Sequence, residues 1–252
     1  MLVRRLTIFV AVLAALYSGY WFVGARAVKT AAEDALQQVN ASGWTVDYSE
    51  INTRGFPSRF DTTVEAIRVL SPQGAVQYAA EFAQVLALSY APNRVIAVLA
   101  DLHELWILGV PFRIATDDLR ASVAVSASTD LAFETATAEV GPVTIEAPTG
   151  DTFRAASALL ASRLSGESSY DLYAEIVGIR LPDTLLELVD PADQLPATIP
   201  RMAVDSTLQL DRAIDRHVVL GAPPPLAQRL DVKEISFAWG PMQLSEIGRA
   251  HV

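Results

Sequence analysis

Hydrophobic residues form one long run near the N-terminus and alternate with polar residues over much of the remaining chain. The run, residues 6–25, holds 20 residues without a formal charge. As a helix it rises about 30 Å, the thickness of the hydrocarbon core of a bilayer. Arginines precede it, and aromatic residues cluster toward its far end, as in an interfacial belt. The pattern predicts a transmembrane anchor over residues 1–26. The aromatic residues of the cluster are Tyr17, Tyr20, Trp21 and Phe22.

Two alternatives to an uncleaved anchor remain open at this stage. Ala25-Arg26-Ala27 has the small-x-small form of a signal-peptide cleavage site, and the run also fits a buried core helix. Both the anchor and the signal peptide export the rest of the chain. The basic residues Arg4 and Arg5 favour a cytoplasmic N-terminus. We therefore expect a single-pass inner-membrane protein whose C-terminal domain lies in the periplasm.

Residues 27–43 predict a stalk helix that continues the anchor. Apolar side chains recur there at three- and four-residue steps, which is one face of a helix. Asn40 and Gly43 are typical of a helix end.

After Gly43 the hydrophobic period changes to two. Val123 and Val125 alternate with Ser122 and Ser126. A second series shares one face with Ser206 as its exception, and its members are Met202, Val204, Leu208 and Leu210. Such alternation predicts strands with one covered face and one wetter face. Gly- and Pro-rich turns separate the strands. The expected fold class is mostly β (α+β), a large curved antiparallel sheet with a few helices, and residues 44–221 form its main exported domain.

Some segments are less regular. Residues 152–164 fit either a helix or the first strand of a hairpin, and residues 182–189 fit a short helix that begins near a proline. Three consecutive prolines, residues 223–225, are a stiff spacer. We expect residues 222–246 to begin a further β segment that is truncated.

The charge distribution limits the possible partners. Three of the 19 Lys and Arg residues and none of the 29 acidic residues lie in residues 1–26, so the exported part has a net charge of −13. An acidic protein lacks the basic footprint of a nucleic-acid binder. The absence of Cys excludes disulfides and thiolate metal sites.

The sequence offers no catalytic, cofactor-binding or metal-binding set. His103, His217 and His251 are the only histidines, and we expect His103 and His217 to be exposed. His103-Glu104 begins like a zinc-helix motif, but Ile107 stands where its second histidine belongs. Nucleophile-elbow and phosphate-loop motifs are also absent.

A short pattern, G-x-P-x-R followed by an apolar residue, occurs twice, each time before a predicted strand. Gly and Pro are the residues that a tight entry turn needs, so we interpret the pattern as a structural turn with the arginine at the start of the strand. The residues concerned are Gly55, Pro57, Arg59, Gly109, Pro111 and Arg113.

Several short motifs together resemble one known family. They are the anchor, Trp44, residues 55–61 (GFPSRFD), residues 88–93 (LSYAPN) and residues 239–244 (WGPMQL). The chain resembles domain-of-unknown-function family 2125, membrane-anchored proteins of alphaproteobacteria without an assigned activity. The layout is also remotely similar to AsmA-type envelope proteins. That likeness implies envelope biogenesis and lipid transport, by analogy of architecture alone.

The last residues, 247–252, read IGRAHV. One frame of a common sequencing adapter, ATC GGA AGA GCA CAC GTC TGA, encodes these six residues and a stop. We therefore expect residues 247–252 to be an adapter artefact and the native chain to continue differently.

These observations favour a non-enzymatic anchored protein that needs no cofactor and shelters lipid or acyl chains on an apolar sheet. The expected partners are the inner membrane, which residues 6–25 contact, together with lipid and other envelope proteins. An envelope scaffold that binds another protein through a sheet edge is the main alternative. A hydrolase with an unrecognised site is a further one.

Overall fold

The computed structural model describes residues 2–219 and 222–251. Expected segment bounds at residues 1, 221 and 252 therefore lie outside the described residues. One unbroken helix, α1, runs over Leu2–Ala41 and covers both the expected anchor and most of the expected stalk. Two short helices follow later, α2 (Asp183–Val189) and α3 (Arg216–Val219), and a 3₁₀ turn lies at Pro72–Gly74.

Most of the remaining described chain is antiparallel strand, which confirms the expected fold class. The strands are β1 (Thr45–Asp47), β2 (Glu50–Arg54), β3 (Arg59–Leu70), β4 (Val76–Leu88), β5 (Ala91–Leu99), β6 (Leu102–Ile107), β7 (Val110–Thr116), β8 (Leu119–Val125), β9 (Phe133–Val140), β10 (Val143–Glu146), β11 (Thr152–Ala155), β12 (Ser157–Leu164), β13 (Ser169–Arg180), β14 (Thr198–Leu210), β15 (Ala227–Trp239) and β16 (Met242–His251).

The connectivity is a meander in which each long strand pairs with the next along the chain. β4 pairs with both β5 and β6 along one edge, and with β3 along the other. β13 likewise pairs with both β12 and β11. Four long strands are thus each interrupted once and divided into two consecutive segments. The segments are β5 and β6, β7 and β8, β9 and β10, and β11 and β12.

The interruptions lie side by side and form a crease across the sheet. Thr116 N donates to Asp101 O at 2.9 Å, and Gly141 N donates to Asp118 O at 2.7 Å. The line continues to Gly178 in β13, whose backbone has a φ of +65°. A Cβ at Gly178 would lie 2.9 Å from the Cβ of Ala156, so glycine permits close packing at this point.

The uncertain segments are resolved as strand and helix. Residues 152–164 form β11 and β12, and β12 makes a hairpin with β13, so the hairpin alternative is confirmed. The helix expected at residues 182–189 is α2. β15, which follows the triple proline, pairs along β14 and extends the same sheet. The backbone of residues 248–251 pairs with β15, and the adapter origin of residues 247–252 stays a prediction.

Candidate functional site

The crease divides the sheet into two halves, and one of them contains β5, β8, β9 and β12. One face of this half is formed almost entirely by apolar side chains. Val123 lies opposite Val95 and Ala136, and Leu160 lies opposite Ala138 and Ala174. Directly opposed residues of antiparallel strands point to the same face. We call this surface the apolar face. Its residues are Ala87, Val95, Ala97, Ala121, Val123, Ala136, Ala138, Leu160, Leu172, Ala174, Val204 and Ile235.

The apolar face is continuous with the surface that packs on helix α1. Ala87 lies opposite Phe60, and the buried Phe60 ring forms a core cluster with Trp21 and Ala25 of the helix. Gly24 completes the contact, because a Cβ there would lie 2.6 Å from the Phe60 ring. The helix therefore covers the β3 end of this surface and leaves the strands beyond it uncovered in the described chain.

A groove of about 460 Å³ lies on the uncovered part, from β8 to β14. Leu160 is 58% exposed at its floor, and Val123 and Val204 are each 37% exposed. Ser162 and Ser206 are polar residues among the groove lining. A contiguous exposed apolar surface of this kind marks an interaction site or a ligand-binding groove.

The opposite face of the same strands is polar and ion-paired. Arg120 bonds Glu139 at 2.8 Å, and Arg201 contacts Glu175. Asp171 accepts hydrogen bonds from Lys233, Thr207 and Arg163, and these bonds hold its pKa well below the usual range. This face carries the charged side chains of these strands, although Ile96, opposite Ser122, is also exposed on it. The two faces of the sheet therefore differ mainly in charge.

The two predicted turn motifs lie at opposite ends of β4. Gly55 and Pro57 form the loop between β2 and β3, and Arg59, the first residue of β3, lies opposite Leu88 at the end of β4. Gly109 lies in the β6–β7 turn, where Leu108 N donates to Ala75 O beside the start of β4.

The second motif differs from the first in the placement of its arginine. Pro111 and Arg113 lie inside β7, and Arg113 faces Glu104 and Glu146 across the neighbouring strands. Only Arg59 stands at the start of its strand. The two arginines therefore belong to separate surfaces and form no joint site.

His103 is buried, so the expectation that it is exposed is wrong. Its side chain is 3% exposed, and Nδ1 lies 2.7 Å from the Tyr78 hydroxyl. Burial lowers the pKa of the imidazole. Among described residues no group of three His, Asp or Glu side chains is placed to hold a metal ion. His217 is exposed in α3, and the His251 side chain lies outside the described residues.

Sequence reasoning missed the residues that join the helix to the sheet. Trp21 Nε1 donates to Arg59 O at 2.8 Å, and the Tyr17 and Tyr20 hydroxyls bond Ser89. The aromatic cluster in the apolar run was visible, but its partners lie tens of residues away in sequence.

Of the helices in the described chain, the one at Val3–Ala41 is long and apolar enough to cross a membrane, and its first half is exposed. It is compatible with a single-pass membrane anchor. Neither the curated proteins nor the solved structures contain a significant match to this chain. A family model described as an uncharacterized protein conserved in bacteria (DUF2125) matches residues 21–252, so the chain belongs to this family.

Proposed function

We propose that this protein is a non-enzymatic, membrane-anchored lipid-binding protein whose apolar face receives acyl chains from the bilayer that holds helix α1. The observation that carries the proposal is the continuity of two surfaces. The apolar face begins at Phe60, beside the helix residues Trp21 and Ala25, and continues to Leu160 and Val204 without a charged side chain. An acyl chain leaving the bilayer along the helix would meet apolar side chains throughout.

The energetics favour an apolar occupant. Burying apolar area gains about 25 cal/mol per Å², and the groove floor is made of Val, Leu and Ala side chains that are otherwise in water. The serines on the apolar face of the groove, Ser162 and Ser206, leave it uncharged, so it is poorly suited to a charged small molecule. A saturated chain fits an open, uncharged groove without needing directed hydrogen bonds.

The proposal places the sheet outside the cytoplasm, at the inner membrane, with an uncleaved helix. Cleavage at Ala27 would remove Trp21 and Ala25, the two helix residues buried against Phe60. The mature domain would then expose a large aromatic side chain. An intact helix avoids this cost, which supports an anchor over a signal peptide.

Native mass spectrometry of the full-length protein, released from membranes in mild detergent, tests this function. We expect bound phospholipid on the wild-type protein and its loss from Leu160→Asp, because a carboxylate would be desolvated beneath an acyl chain. Lipid held only around the helix would persist in both proteins. Equal lipid occupancy in the two proteins would overturn the proposal.

A further inference from the structure

The free part of helix α1 is too short to cross a bilayer alone. After Arg4 and Arg5, Leu6–Leu16 is exposed throughout, and contact with the sheet begins at Tyr17. Those 11 residues rise about 16 Å, whereas a hydrocarbon core is about 30 Å thick. If the helix spans the membrane, the hydrocarbon core must extend about nine residues further, to about Ala25. It then reaches the part of the helix that touches the sheet.

Two hairpin tips contact the helix at this level. The first, the β2–β3 tip, is residues 55–58, and the second, the β4–β5 tip, is Ser89 and Tyr90. The Phe56 ring stacks on Phe22 with centroids 5.8 Å apart and meets Trp21 edge-on at 5.4 Å. Both tips therefore occupy the same depth as Tyr17–Phe22 of the helix.

The polar groups of Ser89, at the centre of this contact, are paired inside the protein. Ser89 is fully buried, its N donates to Ser58 O at 2.9 Å, and its O accepts from the Tyr20 hydroxyl at 2.6 Å. Its Oγ lies 3.1 Å from the Tyr17 hydroxyl. Internally paired backbone is the condition for placing non-helical chain where water is scarce.

Aromatic side chains nevertheless point outward from the tips. Tyr90 is 72% exposed, Phe56 is 52% exposed and the neighbouring Phe22 of the helix is 63% exposed. In water this would be a costly patch, whereas aromatic rings are favourable at a membrane interface. Exposed basic residues flank the tips and the helix contact along the chain, as the phosphate layer of a bilayer would favour, although Arg59 also pairs with Asp61. They are Arg26, Arg54, Arg59 and Arg94.

We propose that the β2–β3 and β4–β5 tips insert into the interfacial layer of the bilayer that helix α1 spans, through Phe56 and Tyr90. This rests on the membrane anchoring in the proposed function. Insertion fixes the Phe60 end of the apolar face at the membrane surface. The groove is then continuous, through the apolar face, with the lipid.

Site-directed spin labelling in the full-length chain tests the proposal, because the native sequence has no Cys to compete for the label. Nitroxides are placed singly at Tyr90→Cys, Leu108→Cys and Val12→Cys. Leu108 is the matched control, since it is 80% exposed at the turn near the opposite end of β4. The protein is reconstituted in vesicles of phosphatidylethanolamine and phosphatidylglycerol. Collision rates with oxygen and with a water-soluble nickel chelate are compared.

We expect the ratio of oxygen to nickel collisions to be several-fold higher at positions 12 and 90 than at position 108. A lipid-exposed label at 12 with a water-exposed label at 90 overturns tip insertion and leaves the anchor intact. A water-exposed label at 12 overturns the anchor and the insertion together. Because Tyr90 and Leu108 are both exposed, neither substitution removes a buried contact.

Discussion

The Trp21 indole N–H donates to the main-chain oxygen of Arg59 at 2.8 Å, at the point where the N-terminal helix meets the first long strand. The same indole packs on Phe60, and both rings are almost fully buried. From the sequence alone, the helix is expected in a membrane and the sheet in an aqueous compartment. The contact joins the two. It makes the helix part of the folded domain.

Removing the Trp21 side chain should release the helix from the sheet. Trp21→Ala loses the buried ring and the bond to Arg59 O, which we expect to cost about 3 kcal/mol. Hydrogen exchange in residues 27–41, after the apolar run, should then accelerate about 100-fold. The control is Val23→Ala, because Val23 is 72% exposed. Unchanged exchange in Trp21→Ala would mean that the helix is held elsewhere.

A charge on the apolar face should abolish lipid binding, and a charge on its reverse should not. Val123 and Ser122 are adjacent in β8 but point to opposite faces. Val123→Asp should lower the affinity for a fluorescent fatty acid at least tenfold, since it would bury an unpaired carboxylate. Ser122→Asp should bind as the wild type does. Equal losses in both variants would indicate a general effect on folding.

Gly178 should be intolerant of any side chain at the crease. Gly178→Ala combines a φ of +65° with a Cβ 2.9 Å from that of Ala156. Gly150→Ala is the control, because Gly150 also has positive φ (+90°) but open space around it. We expect thermal unfolding to report about 1–3 kcal/mol more destabilisation for Gly178→Ala than for Gly150→Ala. Adding Ala156→Gly should recover most of that difference.

Asp171 should make the polar face sensitive to acid. Hydrogen bonds from Lys233, Thr207 and Arg163 lower the pKa of its carboxyl in the folded protein. Its stabilising contribution is therefore full above the unfolded pKa of about 3.9 and is lost as the pH falls through the folded value. Asp171→Asn should melt below the wild type at pH 7. The melting-temperature difference should shrink as the pH is lowered below about 4.

The matched control for Asp171 is Glu187→Gln, which changes an exposed acid on helix α2. This variant should melt with the wild type across the same pH range. A melting-temperature difference for Asp171→Asn that stayed constant down to pH 2 would contradict the assigned pKa direction.

The sequence predicts the elements better than it predicts their arrangement. The uncharged run and the period of two in residues 121–125 follow directly from local periodicity, so the helix and the strands were foreseeable. Residues 152–164 were ambiguous because Ala and Leu serve either structure, and pairing with β9 and β13 decided the matter. The break between β11 and β12 at Ala156 has no signal in the local sequence. It depends on the close packing of Ala156 against Gly178 on the neighbouring strand.

The candidate site was only partly foreseeable for the same reason. Alternation identified the apolar residues of each strand, but their continuity depends on the register between strands. His103 was misjudged because the strands on both sides of it and its hydrogen-bond partner Tyr78 are separated from it in sequence; Tyr78 is 25 residues away. The contact between Trp21 and Phe60 likewise depends on the β2–β3 hairpin, which cannot be predicted from the apolar run itself.

Photo-crosslinking in living cells tests whether the apolar face holds acyl chains. A benzophenone amino acid is introduced at position 160 on the apolar face, or at position 161 on the opposite face. We expect light-dependent phospholipid adducts, detected by mass spectrometry, from position 160 and not from position 161. Adducts of equal yield from both positions, or an adduct from position 160 to protein alone, would contradict it.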